Sequence, residues 1–256
     1  MDNHKREPET VEDIPIKRNR TPVFNLPGIL LATLGLLGAI HAVQSLLLSA
    51  NAVDWLFITF GFIPVRYVIP FSEQGLQWLW SPVTYSLLHG SVEHILFNGL
   101  WLMAFGAPVV RRIGSLRYVI FWILSSVAAA ALHAGLNWGD PTLLIGASGV
   151  VSGLMGAACR FAFPPERKVP RPAHLNPRLS VAQSFRSRTV VVFTLFWLIG
   201  NGLIAVGIPL IGDPNQPIAW DAHIGGFIFG FFLFSFFDRK IPAEPEISQE
   251  PDILQS

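Results

Sequence analysis

Long apolar runs separated by polar stretches dominate the hydrophobic pattern of this 256-residue chain. A helix needs about 20 mostly apolar residues to cross the hydrocarbon core of a bilayer. Six runs approach or reach that length, and they cover residues 28–50, 92–108, 118–138, 142–163, 189–211 and 217–237. The pattern therefore predicts an all-α membrane protein with six transmembrane helices.

Polar segments flank the six predicted spans. Residues 1–26 mix charges with prolines and contain no apolar core ahead of a cleavage site, so they predict a soluble cytoplasmic tail and not a signal peptide. The membrane domain is expected to cover residues 27–239. Residues 240–256 are polar and acidic, which predicts a disordered cytoplasmic tail.

The composition agrees with a membrane protein. Hydrophobic residues make up 51% of the chain and charged residues 14%, whereas about 25% of residues are charged in an average soluble domain. So few charges exclude a soluble enzyme and a nucleic-acid binder that relies on a broad basic surface. The only cysteine, Cys159, excludes a disulfide framework and a cysteine-rich metal site.

Basic residues predict the orientation in the membrane. Cytoplasmic loops are enriched in Lys and Arg, and the chain has 18 of them. With the N-terminus inside, Arg66 alone falls on the outer side, so both termini are expected in the cytoplasm. The basic connection 164–188 would be attracted to anionic lipid headgroups. The simpler interpretation of its many basic residues is that they only keep this connection on the cytoplasmic side.

The connection between the first and second spans, residues 51–90, is unusual for a loop. It carries only three charged residues, and nine of its residues are aromatic. Trp and Tyr favour the membrane interface, so this first outer loop is expected to be embedded in the outer leaflet. The alternative, a seventh broken span, would invert every later loop and spoil the charge distribution.

Polar residues recur at one depth in three predicted spans. His94, Ser148 and His223 each lie about one to two turns below the outer end of a span that runs from outside to inside. Ionisable or polar groups inside a span indicate function by default. Ser91 precedes His94 by three residues and is placed to cap the second span.

Glycines indicate which helices meet. Gly149, Gly153 and Gly156 form one stripe on span four, and Gly226 and Gly230 form another on span six. Such stripes let helix backbones approach closely, which would bring Ser148 within hydrogen-bond reach of His223, an alcohol beside a general base. His94 and Asn98 share one helical face, and both can donate to an oxyanion. The simpler alternatives are plain packing glycines and a serine bonded to its own helix.

Other polar residues are assigned no chemistry. His41 and His133 have no evident partners and are interpreted as structural or interfacial. His89 lies about 140° from His94 on an α-helix, which argues against a shared metal ion. Asp221 points away from His223 and is expected to be an outer-surface charge. The sequence predicts neither a metal site nor a cofactor.

Together these motifs resemble those of the rhomboid intramembrane serine proteases, over residues 80–230. The matching motifs are Gly146-Ala147-Ser148-Gly149, His89-x4-His94-x3-Asn98 and Ala222-His223-x2-Gly226-x3-Gly230. The resemblance implies a six-helix rhomboid bundle with a membrane-embedded first outer loop. It also implies a nucleophile at Ser148, a general base at His223 in a dyad without an acid, and an oxyanion hole formed by His94, Asn98 and the Ser148 amide.

The resemblance further implies substrates that are membrane proteins, cut near the outer ends of their transmembrane helices, and a location in the bacterial inner membrane. Three positions depart from the family pattern: Ser81 follows Trp80 where arginine is common, Val110 precedes the basic pair where glutamate is common, and Ser152 stands where an aromatic residue often follows the nucleophile.

Two alternative functions have their own sequence signatures: a non-catalytic relative that binds transmembrane helices, and a small transporter. A non-catalytic relative would be expected to lose Ser148 or His223, and a transporter would be expected to carry carboxylates inside its spans. The sequence retains both residues, and the predicted spans contain no Asp or Glu near their centres. The sequence leaves the oligomeric state open.

Overall fold

The computed structural model describes residues 25–165, 172–208 and 218–239. Most of the predicted N-terminal tail and all of residues 240–256 lie outside the described residues. The same holds for the basic stretch 166–171 and for residues 209–217, which include the predicted end of span five and start of span six.

Helices make up the regular structure of the described residues, apart from one isolated β-bridge between Phe62 and Leu144. The α-helices are α1 (Gly28–Leu46), α2 (Ala50–Phe60), α3 (Gln77–Thr84), α4 (Val92–Trp101), α5 (Ala107–Ile113), α6 (Ser115–Leu136), α7 (Ser148–Ala158), α8 (Val181–Ser184), α9 (Arg188–Ala205) and α10 (Trp220–Leu233). Single turns of 3₁₀ helix cover Pro64–Tyr67, Phe71–Glu73, Tyr85–Leu87, Ala173–Leu175 and Phe234–Phe236. The predicted all-helical class is therefore confirmed for these parts of the chain.

Four of the described helices are long and apolar enough to cross a membrane: Gly28–Leu46, Val92–Ile113, Ser115–Leu136 and Arg188–Ala205. Two further apolar helices, Ser148–Ala158 and Trp220–Phe236, are shorter. The chain is thus an integral membrane protein, with four candidate spanning helices in the described ranges.

The fourth predicted span, 142–163, is wrong at both ends. Helix α7 begins only at Ser148 and has 11 residues, which corresponds to a length of about 16 Å. Before it, Leu144 bridges to Phe62, and Gly146 takes a positive φ of 110° that breaks any helix. The run of apolar residues could not reveal this, because non-helical backbone can be equally apolar when it is buried in protein.

Helix α7 forms the centre of the bundle. Every residue from Gly149 to Ala158 is buried, and α10 makes the most extensive contact with it. Helix α9 is peripheral, because only Val190 and Asn201 of its 18 residues are buried. The sequence folds this way because α7 is apolar on all sides and rich in small residues, whereas α9 presents large apolar side chains outward.

The segment 51–90 is folded against the end of the bundle at which α7 begins. The Trp80 indole N–H donates to the Thr59 carbonyl at 3.0 Å, and the Thr84 hydroxyl donates to the Phe60 carbonyl at 2.7 Å. Two backbone hydrogen bonds join Phe62 to Leu144, just ahead of α7. The segment is thereby attached to the chain that leads into Ser148.

A five-residue π-helical segment, Leu102–Gly106, separates α4 from α5. A π turn contains one residue more than an α turn, and such turns are frequent at functional sites. The π segment lies between Asn98 and Arg112. It therefore changes the direction in which one of these side chains points relative to the other.

Buried arginines close the end of the bundle opposite Ser148. The Arg112 side chain makes two hydrogen bonds to the Asp238 carboxylate, at 2.6 and 3.0 Å, and donates to the Asn176 carbonyl at 2.6 Å. Its guanidinium also stacks over the Phe161 ring, 4.5 Å from the centroid. These contacts join α5 to the end of α10 and to the chain that follows α7.

Candidate active site

Ser148 occupies the first position of α7 and is half-buried. The turn that leads to it is fixed by a hydrogen bond from the Gly146 amide to the Tyr85 carbonyl, at 3.0 Å. The first amides of any α-helix have no carbonyl partner within the helix, and they carry the positive end of its dipole. The first amides of α7, which include that of Ser148, are therefore donors suited to a developing negative charge.

Close contact between two backbones brings together the residues that adjoin Ser148 and His223. A Cβ atom on Gly226 would overlap the carbonyl of Gly149, and one on Gly149 would lie 3.5 Å from the carbonyl of Ala222. Ser148 and His223 adjoin these contacting residues in sequence. No hydrogen bond joins the Ser148 hydroxyl to the His223 ring among the described residues, and such pairs are often loose before substrate binds.

The other predicted glycines lie on the same seam between α7 and α10. A Cβ atom on Gly230 would overlap the backbone of Gly153, and one on Gly156 would overlap the Phe227 carbonyl. Small residues are thus required sterically along this seam, and substitution would force the two helices apart.

His94 and Asn98 converge on the turn before the serine. A Cβ atom on Gly146 would lie 2.6 Å from His94 Nε2 and 3.7 Å from Asn98 Nδ2. Helix α4 is oriented by its cap, since the His94 amide donates to the Ser91 hydroxyl at 3.2 Å, which confirms Ser91 as the predicted cap.

The Asn98 amide group has an unusual environment. Asn98 is 3% exposed, and its Nδ2 atom has no hydrogen-bond partner among the described residues. A buried donor without a partner costs free energy and is rare in folded proteins. An unpaired donor aimed near a serine is what an oxyanion site requires before its ligand arrives.

Sequence reasoning missed Asn201, which contacts His223. The His223 ring Nδ1 lies 2.8 Å from Asn201 Oδ1. Asn201 is a polar residue within the apolar run of α9. The rule that a polar residue inside a span indicates function would have identified it.

The prediction that Asp221 is an outer-surface charge is wrong. Asp221 is 4% exposed, and its carboxylate contacts His133 Nδ1 at 2.8 Å and accepts from Asn137 Nδ2 at 2.6 Å and the Ala222 amide at 2.7 Å. Two residues before His223 is indeed another face of α10, but that face packs on α6 and not on solvent. His133, for which the sequence indicates no partner, is the histidine that contacts Asp221.

The helical-register argument about His89 also fails. His89 precedes α4, so the angle calculated along a helix does not apply to it. Its buried ring meets the His94 ring edge to face, with centroids 5.0 Å apart. His41 has a partner too, because its Nδ1 lies 3.2 Å from the His89 carbonyl. In the described ranges, no three His, Cys, Asp or Glu residues are grouped as a metal site would require.

Comparison with known proteins identifies the family. Residues 76–240 match the rhomboid domain. The chain is 31% identical over 176 residues to a rhomboid protease GlpG from Yersinia pestis (strain Pestoides F), an alignment that covers 67% of this chain and 52% of the relative. It is 30% identical over 178 residues to a rhomboid protease GlpG from Serratia proteamaculans (strain 568), covering 68% and 53%.

The chain spans about half the length of the curated relatives it matches. The matched region nevertheless contains the turn before Ser148, the α4 donors and the α7–α10 seam. The rhomboid match covers more than half of the sequence. On this evidence the chain belongs to the rhomboid family.

Proposed function

We propose that this protein is a serine-type intramembrane endopeptidase that hydrolyses peptide bonds in or near the transmembrane helices of membrane-protein substrates. The observation that carries the proposal is the convergence of His94 and the unpaired Asn98 amide on Gly146, two residues before a serine at a helix N-terminus. Membership of a family whose curated relatives are named proteases supports it.

In the proposed mechanism, Ser148 Oγ attacks the carbonyl carbon of the scissile peptide bond while His223 Nε2 takes the hydroxyl proton. The carbonyl oxygen becomes negative and accepts hydrogen bonds from His94, Asn98 and the Ser148 amide. The tetrahedral intermediate collapses to an acyl-enzyme as His223 returns the proton to the leaving amine. Water then attacks the ester, with His223 again acting first as base and then as acid.

The half-buried state of Ser148, His94 and His223 suits this chemistry. Each side chain retains some exposure, so water can reach the ester, while the buried walls keep the local dielectric low and strengthen the donor contacts. None of these steps needs a metal or an organic cofactor.

The proposed arrangement in the bilayer is a six-span rhomboid bundle. Helices α7 and α10 would be its fourth and sixth spans, although both are shorter than 18 residues. Both termini would lie in the cytoplasm, and the 51–90 segment would be embedded in the outer leaflet of the bacterial inner membrane. The exposed Trp55, Leu76 and Leu79 side chains of that segment support contact with lipid.

The direct test is covalent labelling of the purified protein in detergent. A fluorophosphonate should label the wild type, and Ser148→Ala should abolish labelling, because activated serines react with such probes. Ser152→Ala is the matched control, since Ser152 lies one turn further along the same helix and is buried. Equal labelling of wild type and Ser148→Ala would refute Ser148 as nucleophile.

Topology needs a separate measurement. Reporters fused at residue 256 and within 164–188 should give cytoplasmic signals, and a reporter at residue 140 should give an external one. An external signal from the C-terminus would require an odd number of spans and would contradict the proposed arrangement.

A further inference from the structure

The hydrogen bond between α9 and the His223 ring has a defined donor and a defined acceptor. Asn201 Nδ2 donates to the Trp197 carbonyl one turn earlier, at 2.9 Å, which leaves Asn201 Oδ1 facing His223 Nδ1 at 2.8 Å. A carbonyl oxygen only accepts hydrogen bonds, so the ring Nδ1 must carry the proton. A neutral imidazole has one protonated nitrogen, and the lone pair is then on Nε2.

Among the described residues, no other group near His223 competes for this role. Asp221, on the same helix, directs its carboxylate to His133, Asn137 and the Ala222 amide. His94 approaches from α4, but a second imidazole is not a fixed acceptor. The acceptor that the ring contacts is therefore the side-chain amide of Asn201.

The burial of Asn201 supports a specific role. Helix α9 is peripheral and exposes large apolar side chains such as Phe196 and Ile199, yet Asn201 is 5% exposed and lies against α10. A buried amide in an apolar setting is costly unless its polar atoms are bonded. Both polar atoms of this amide are satisfied, one within α9 and one by His223.

We propose that Asn201 is a positioning residue for the general base. It holds His223 in the tautomer with the proton on Nδ1, directs the Nε2 lone pair toward Ser148, and accepts from the ring again when His223 becomes an imidazolium. This inference rests on the proposed protease function, and it adds an asparagine from α9 as a third, non-acidic member behind the Ser148–His223 pair. The same bond ties the otherwise loosely held α9 to the site.

The first test observes the tautomer and needs no activity. Histidine labelled with ¹⁵N distinguishes protonated from unprotonated ring nitrogens by chemical shift, and the His223 signals are assigned by their loss in His223→Gln. The wild type should show a protonated Nδ1 and a free Nε2. Asn201→Leu should mix the tautomers, whereas Thr194→Val, a polar-to-apolar change elsewhere on α9, should not. A wild-type proton on Nε2, or an unchanged Asn201→Leu spectrum, would overturn the inference.

The second test uses kinetics. Asn201→Ala should lower kcat by about 10- to 100-fold, a part of what a general base contributes, with KM nearly unchanged. Asn201→Asp keeps an acceptor beside the ring and adds a negative charge, which favours the imidazolium form of His223 over the neutral form. Because the base must be neutral, the acid limb of kcat/KM should move to higher pH in Asn201→Asp while more activity remains than in Asn201→Ala.

These results separate the two proposals. An inactive wild type whose ring tautomer still responds to Asn201→Leu would refute the protease function, while the control of the His223 tautomer by Asn201 would stand. An active protein in which both Asn201→Ala and Asn201→Asp match the wild type in kcat and in pH profile would refute the positioning role alone. Asn201→Asp also guards against misfolding, since it keeps the size and the acceptor of the native side chain.

Discussion

Replacing Asn98 by alanine tests whether the unpaired amide of α4 stabilises a transition state. In the resting protein Asn98 Nδ2 is buried and has no hydrogen-bond partner among the described residues. The substitution therefore breaks no recorded bond of that donor, and only packing around the lost amide changes. We expect the free energy of unfolding to change by no more than about 1–2 kcal/mol.

The expected effect on catalysis is larger. Removing one donor from an oxyanion hole costs about 10²–10³ in kcat in a well-studied protease, and two donors, His94 and the Ser148 amide, would remain here. We therefore expect kcat to fall by about 10- to 1000-fold, or about 1.4–4 kcal/mol in the barrier. KM should change little, because the bond strengthens only as charge develops on the substrate oxygen.

The assay is cleavage of a single-span substrate in detergent and in vesicles, measured beside thermal unfolding of the same preparations. Ser125→Ala is a matched control, because Ser125 Oγ is also buried without a partner but faces Gly153, away from the serine. Full activity of Asn98→Ala, or a loss of activity that only follows unfolding, would refute the oxyanion role.

Two further predictions concern the helix seam and the opposite end of the bundle. Gly226→Ala should lower stability by about 3 kcal/mol, since core overpacking costs about 1–3 kcal/mol and the atom that must yield here is the Gly149 backbone carbonyl. Gly38→Ala, which meets open space inside α1, should not lower the free energy of unfolding. Equal unfolding curves for the two variants would contradict the seam. Asp238→Ala should lower the free energy of unfolding by about 3–5 kcal/mol, because it leaves the Arg112 guanidinium buried without its carboxylate. Chemical unfolding in detergent measures this change, and a value below about 1 kcal/mol would show that the carbonyl contacts of Arg112 are enough to stabilise its buried charge.

The sequence predicted the helical class, the approximate positions of the long spans and the family, which the rhomboid match confirms. These features follow from local hydrophobicity and from motifs of short spacing. It mispredicted the length of α7, because an apolar run does not show where buried backbone stops being helical. Only the positive φ of Gly146 and the bridge at Leu144 reveal that end.

The errors at the candidate site share one physical cause. Asp221 meets His133 across 88 positions of sequence, and His223 meets Asn201 across 22. Helical periodicity tells which way a side chain points, but not which helix lies in that direction. Polar pairs between helices are therefore visible only in the packed structure. The shared face of His94 and Asn98, in contrast, follows from their spacing within one helix.

The π segment Leu102–Gly106 couples the orientation of Asn98 to that of Arg112. One extra residue in a helix rotates everything below it by about 100° and shifts it by about 1.5 Å. Asn98 lies on one side of this step and Arg112 on the other, so deleting a single residue between them would let only one of the two face its partners. The π segment thus sets the rotation of the candidate site at one end of the bundle relative to the Arg112 contacts at the other.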